Sequence, residues 1–135
     1  MADTVTAQVR SRIMAKVKSK DTKPELAVRR LLHSLGYRYR LHRKDLPGKP
    51  DLAFPSRRKA VFVNGCFWHG HENCPRARLP SSNRNYWRAK LERNRERDER
   101  NLALLEEIGW STMVVWECEL RDVDAVVQNL TTFLE

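Results

Sequence analysis

Apolar residues recur along this chain first at helical spacing and then at strand spacing, and each switch marks an element boundary. Leu26, Ala27, Leu31, Leu32 and Leu35 fall on one side of a 3.6-residue period. The run opens on Thr22-Lys23-Pro24-Glu25, where Thr22 caps, Pro24 suits the first turn and Glu25 completes a capping box; Gly36 stops it. Tyr37–Leu41 alternates aromatic or apolar residues with Arg, a strand with one buried face. Leu46-Pro47-Gly48-Lys49-Pro50 reads as a turn, Asp51–Phe54 as a short strand, and Pro55–Arg58 as a hairpin connection. Lys59–Asn64 is the most strand-like run in the chain. Residues 65–83 are irregular and rich in His, Cys, Pro and Asn, and a loop of that length is usually functional or metal-braced. The helical period returns over Asn85–Ile108, with Trp87, Leu91, Leu102, Leu105 and Ile108 as its apolar positions and Gly109 as its stop. Trp110–Trp116 then predicts a buried strand and Asp122–Leu134 an amphipathic closing helix. The order is helix, three strands, helix, strand, helix: an α/β fold with one mixed sheet flanked by helices, a single domain over residues 21–135.

Residues 1–20 fit a basic arm, with Arg10, Arg12, Lys16, Lys18 and Lys20 around Val9, Ile13, Met14 and Val17. Such a segment orders on a partner. Across the chain 26 basic residues outnumber 17 acidic ones, a net charge of +9, which points to a polyanion and most simply to nucleic acid. The basic residues are mostly Arg, whose planar fork binds phosphate bidentately. The first 20 residues are polar, and apolar runs such as Ala60–Val63 are strand-length, so the reading is a cytoplasmic protein without a membrane span. In a reducing compartment, three cysteines favour metal ligation over disulfides.

Cys66, His71 and Cys74 stand as C-x(4)-H-x(2)-C in one loop, and Cys118 lies just past the strand Trp110–Trp116. Three thiolates and an imidazole are a Cys₃His set, suited to structural tetrahedral zinc. Cys66 and Cys118 each follow a predicted core strand, so neighbouring strand ends would bring them together. A full set leaves no open position for water, so this zinc would not be the catalytic metal. The plainer alternative makes Cys66 and Cys118 small buried apolar residues and His71 a surface residue.

Asp51 begins a strand directly after a turn, and Val61-Phe62-Val63-Asn64 runs along the adjacent strand. A carboxylate so placed can hold Mg²⁺ over a phosphate, because that hard ion takes few protein oxygens and leaves positions for phosphate and water. Alone, Asp after Pro is an ordinary turn residue. Taken with Phe62-Val63-Asn64-Gly65-Cys66-Phe67-Trp68-His69-Gly70-His71, Asn94-Arg95-Glu96-Arg97-Asp98 and Val115-Trp116-Glu117-Cys118, Pro50-Asp51 resembles the very-short-patch (Vsr) repair endonucleases. Those are members of the PD-(D/E)XK restriction-endonuclease superfamily that nick beside T·G mismatches, and the resemblance runs from about Arg10 to Leu120.

The resemblance implies a restriction-endonuclease-like fold and two metals, a catalytic Mg²⁺ and a structural Zn²⁺. Asp51 and the main-chain carbonyl of Val63 would ligate the magnesium, and Cys66, His71, Cys74 and Cys118 the zinc. His69 would act on the attacking water as general base or its relay. Glu25 and Asp98 would bind metal-bound water or orient His69. Asn64 stands where the family pattern has a second His. Asn can orient water but cannot shuttle a proton, so the acid–base work falls to His69. Each assignment has a structural rival: a capping-box role for Glu25, an ion-paired helix face for Asp98, a satisfied loop histidine for His69.

Phe67 and Trp68, side by side on a polar loop, suit a wedge that enters the base stack, at least cost where the pair is mismatched. Within the family Trp87 would complete an aromatic platform; otherwise it is a core residue of its helix. Arg84, Arg88, Lys90, Arg93, Arg95, Arg97 and Arg100 line the long helix, where Glu92, Glu96 and Glu99 suggest part of the face is salt-bridging. Arg84 and Arg88 at its start, and Arg12, Met14 and Lys16 on the arm, are the candidates for gripping the duplex. The expected function is Mg²⁺-dependent nicking of double-stranded DNA beside a T·G mismatch by a monomer. The rival is a zinc-braced DNA-binding module that has lost catalysis.

Overall fold

A computed structural model describes residues 21–135; Arg12, Met14 and Lys16 of the expected arm lie outside the described residues. Helix α1 spans Lys23–Ser34 and follows the expected start, with the Thr22 side chain accepting from the Glu25 N–H at 3.3 Å. The other half of the box differs: Glu25 Oε1 accepts from the N–H of Asp21, not of Thr22. The buried face is also turned from the expected stripe. Glu25, Val28 and Leu32 point inward, while Leu35 is exposed. A buried carboxylate replaces a leucine in the pattern, and that displacement is the first structural sign of a site.

The expected strand over Tyr37–Leu41 shrinks to β1, Arg40–Leu41, with both residues exposed. Tyr37 and Tyr39 instead press edge-on against Phe54 at ring distances of 6.4 and 6.3 Å, so packing rather than ladder bonds fixes that segment. Strands β2 (Leu52–Phe54), β3 (Lys59–Asn64) and β4 (Ser111–Trp116) complete a sheet of order β1-β2-β3-β4. The first three run antiparallel and β4 joins β3 in parallel, giving the expected mixed sheet. β4 was expected to be buried; it stands at the sheet's edge, with Val115 as its one fully buried residue.

The sheet separates two apolar layers. Val28 and Leu32 of α1 and Val126, Leu130 and Leu134 of the last helix, α3 (Val123–Leu134), pack with Leu52, Phe54, Val61, Val63 and Val115. A smaller cluster joins Leu46, Ala53 and Phe62 to Leu105 of the long helix α2 (Arg84–Glu107). Trp87 and Leu91 of α2 are buried as expected, Leu102 only partly, and Ile108 is exposed. No helix among the described residues is long and apolar enough to cross a membrane.

Candidate active site and metal cluster

The parallel register of β3 and β4 pairs Asn64 with Trp116. Cys66 and Cys118 each lie two residues beyond that pair, so the strands deliver both thiols to one end of the sheet. The Cys118 N–H donates to Cys66 Sγ at 3.4 Å, and Cys118 Sγ lies 3.5 Å from His71 Nδ1. With Cys74 from the loop, the four ligand atoms all lie within 4.8 Å of one another. Tetrahedral ligation at Zn–S of about 2.3 Å puts sulfurs about 3.8 Å apart, so this set can close on an ion with small adjustments. Burial pushes the Cys66 thiol up to about 12. Cys74 is held below the usual thiol value, its partial desolvation outweighed by backbone N–H groups of Arg76 and Ala77 and by its neighbouring thiols. His71 stacks flat on Trp116, centroids 4.0 Å apart at 7°, which fixes the ring plane. The donor set fits a soft or borderline divalent cation.

The loop that carries these ligands makes a second use of itself. His69, Gly70 and His71 donate backbone N–H bonds to Gly65, Phe67 and Cys66, so the segment is a compact turn. Gly70 sits at φ +60° with Arg95 carbons 3.0 Å from where a Cβ would be. Any side chain there would be strained and crowded. That turn sends His71 toward the cysteines and His69 the other way, to Asp98 of α2. His69 Nδ1 lies 2.6 Å from Asp98 Oδ2. A carboxylate accepts, so Nδ1 carries a proton, and in the neutral ring Nε2 keeps the lone pair. Asp98 thus serves His69 and not the arginine face of its helix.

Across the same cleft lies Asp51, at the mouth of β2. Its Oδ2 accepts from the Val63 N–H at 2.7 Å, which brings the backbone of Val63 against the carboxylate. Burial pushes the Asp51 carboxyl up to about 7; the Val63 N–H opposes the rise and the adjacent Glu25 adds to it. Glu25, 1% exposed, accepts from Arg29 and approaches His42 Nε2 at 2.8 Å. Two adjacent carboxylates, Glu25 buried and Asp51 half-buried, are a donor set that suits a hard divalent cation, whose charge offsets theirs. Asn64 is buried and lines this cleft beside Glu25, Asp51 and His69. All five expected catalytic side chains therefore meet in one place.

Phe67 and Trp68 are half-buried, with ring centroids 5.0 Å apart at 85°. Trp87 lies 5.5 Å from Phe67 and 6.0 Å from Trp68, and Tyr86, exposed, lies 5.1 Å from Trp87. Trp87 is thus both readings at once: a buried helix residue and the floor under the other two. Arg84 and Arg88 are exposed on either side of it. Sequence reasoning missed the cleft-facing stripe Lys90, Asn94, Arg97 and Asn101 of α2. Its spacing of four, three and four residues is the signal that could have revealed it. Among the described residues Glu92, Glu96 and Glu99 form no ion pair with the helix's arginines, contrary to expectation; Arg95 pairs with Glu72 of the loop. Asn94 donates to the Trp68 carbonyl at 2.8 Å, mooring the aromatic pair to α2.

Comparison with known proteins agrees with this geometry. The sequence pattern of the family described as DNA mismatch endonuclease Vsr matches residues 2–76. A relative from Xanthomonas oryzae pv. oryzae, the Type II nicking enzyme V.XorIIP, is 53% identical over all of this chain and 98% of its own length. The DNA mismatch endonuclease Vsr of Escherichia coli is 35% identical over 98% of this chain and 84% of its own. Among solved structures, the catalytic domain of the homing endonuclease I-Bth0305I superposes with a TM-score of 0.58 at 21% identity, covering 84% of this chain and 94% of that one. At that identity the likeness establishes a shared, restriction-endonuclease-like fold.

The raised Asp51 carboxyl makes a stability prediction. In the unfolded chain Asp51 titrates near its ordinary 3.8, and in the fold it keeps its proton to about 7. The stability it contributes is therefore complete below about pH 4 and is lost as pH rises through about 7. Asp51→Asn carries no charge at any pH. It is expected to raise the melting temperature of the protein with no cation added to the cleft by about 3–10 °C at pH 8 and by little at pH 4. Melting curves at both pH values check this; an equal gain at each would assign the effect to packing.

Proposed function

We propose that this chain, which belongs to the Vsr DNA mismatch endonuclease family, nicks one strand of duplex DNA beside a T·G mismatch with the help of Mg²⁺. The observation that carries the proposal is the His69–Asp98 dyad, 2.6 Å between ring and carboxylate, in one cleft with the half-buried Asp51. Asp51 and the main-chain carbonyl of Val63 would hold the magnesium, which supplies charge neutralisation at the phosphate and a more acidic water. His69 Nε2 accepts the proton of the attacking water, and Asp98, bonded to Nδ1, steadies the ring as it becomes charged. Glu25 lies close enough to Asp51 to orient water. Asn64 can hold a water by its amide but moves no proton. The products are a 5′-phosphate and a 3′-hydroxyl. The names of the nicking relatives support single-strand cleavage.

Phe67 and Trp68 serve as the wedge, with Trp87 beneath them, while Arg84, Arg88 and the arm residues Arg12, Met14 and Lys16 grip the duplex. Cys66, His71, Cys74 and Cys118 hold zinc as a brace for the loop. A binding module without catalysis gains nothing from two adjacent carboxylates, one buried and one half-buried, whose mutual repulsion opposes folding when no cation is bound. The Glu25–Asp51 pair therefore favours the enzyme reading.

Three measurements test these assignments. Elemental analysis is expected to find about one zinc per chain, and Cys118→Ser to lose it together with much of the thermal stability. A zinc-free protein with an unchanged melting temperature would remove the brace from the account. Trp68→Ala removes stacking worth roughly 1–3 kcal/mol, so the ratio of T·G to T·A nicking rates falls while metal binding survives. An unchanged ratio rejects the wedge. In single-turnover nicking of a T·G duplex, Asp51→Asn is expected to be inactive yet still bind DNA. His69→Ala should slow by roughly 10²–10⁴-fold and recover in part at high pH, where hydroxide replaces the base. Equal rates for all three proteins would place the chemistry elsewhere, and no nicking by the wild type on any mismatch would favour the binding module.

A further inference from the structure

His42 is the one histidine in the cleft that no assignment above uses. It follows β1 in the left-handed backbone region, φ +47°, a conformation unfavourable for a non-glycine residue and kept where the surroundings demand it. Two contacts make that demand. Its backbone N–H donates to the carbonyl of Asp51 at 3.3 Å, and its ring crosses to α1, where Nε2 lies 2.8 Å from Glu25 Oε2. Arg29 Nη2 is 3.4 Å from the same nitrogen. Guanidinium only donates and the carboxylate only accepts. A lone pair on Nε2 would face the Glu25 oxygen at the shorter distance, so the proton sits on Nε2 and His42 donates to Glu25.

Glu25 is thereby held from both sides. Arg29, one turn along α1, and the Asp21 N–H tie it to its own helix. His42 ties it to the strand side, and through its own N–H to Asp51. His42 thus touches both acidic residues, Glu25 through its ring and the main chain of Asp51 through its backbone N–H.

We propose that His42 is a positioning residue for the metal-dependent step: by its Nε2–H it locks Glu25 beside Asp51, and so sets the affinity of the cleft for a divalent cation. The inference rests on the nicking assignment only for its catalytic consequence; metal binding tests it independently. Asn64 leaves this chain without an imidazole at the end of β3, and His42 approaches the same cleft from β1.

The test is binding of Mn²⁺ to zinc-loaded protein without DNA, read by the electron paramagnetic resonance of the free ion, beside the Mg²⁺ dependence of nicking. His42→Ala is expected to weaken Mn²⁺ binding about tenfold and to raise the half-saturating Mg²⁺ for nicking equally, with DNA affinity within twofold of wild type. His42→Gln keeps a donor of similar reach and is expected to restore binding to within about threefold. In a Glu25→Gln background, His42→Ala is expected to add no further loss, because its effect passes through Glu25. If His42→Ala does not fold, His42→Leu against His42→Gln makes the same comparison. Unchanged Mn²⁺ binding in His42→Ala, a Gln variant as weak as Ala, additive losses with Glu25→Gln, or no Mn²⁺ binding by wild type would each overturn the proposal. A wild type that binds Mn²⁺ with the expected His42 dependence but nicks no DNA would overturn the nicking assignment and uphold His42 as the clamp.

Discussion

The parallel pairing of β3 and β4, with Asn64 opposite Trp116, is the constraint on which the rest of the molecule depends. Parallel strands end at the same edge of a sheet, so whatever follows each of them is delivered side by side. Here Cys66 follows one and Cys118 the other. A one-residue slip would turn every side chain of a strand to its opposite face and would move both thiols. On its other side, the antiparallel register of β2 and β3 places Val63 where its N–H meets the Asp51 carboxylate, so β3 links the cysteine cluster to the cleft along its own length.

Between Cys66 and Cys74 the chain has few apolar groups with which to hold itself down, yet it carries Phe67, Trp68 and His69. Its order comes from its ends and its back. Ligand atoms gather at Cys66, His71, Cys74 and Cys118, and α2 supplies the back through Asn94 at the Trp68 carbonyl and Asp98 at the His69 ring. Asn94 and Asp98 are one helical turn apart and grip consecutive loop residues. Trp68 and His69 are thus fixed to the same rigid turn. Displacement of one is felt by the other.

Much of this was legible in the sequence because it was written in local chemistry. Lys59–Asn64 was read with its observed bounds because β-branched and aromatic residues fill it, and the Cys₃His set was readable because those ligands at that spacing have few other uses. The misreadings share one cause: side chains whose burial is decided by distant partners. Glu25 took an inward position that periodicity assigned to apolar residues, because Arg29, His42 and Asp51 receive it there. Tyr37 and Tyr39 gave the alternation of a strand but pack on Phe54 without pairing. The cleft face of α2 was obscured by the abundance of Arg, which spaced charge all round the helix. His42 gave no signal, since a histidine after a two-residue strand has meaning only once α1 is folded against it.

The cleft is also where stability is given up. Burial of an ionised carboxylate is unfavourable unless charge or hydrogen bonds meet it, and two together repel as well. Glu25 has Arg29 and His42; Asp51 has the Val63 N–H and little else, which is why its proton is held to about 7. The imbalance has a direction. The carboxylate with strong partners stays in place, and the one without them is the site of highest gain for an arriving cation. Packing could have made both groups equally comfortable, at the cost of the driving force for metal entry. One anchored carboxylate beside one less well met is a donor pair suited to a divalent cation, and the asymmetry between Glu25 and Asp51 is therefore as much a part of the cleft as either residue.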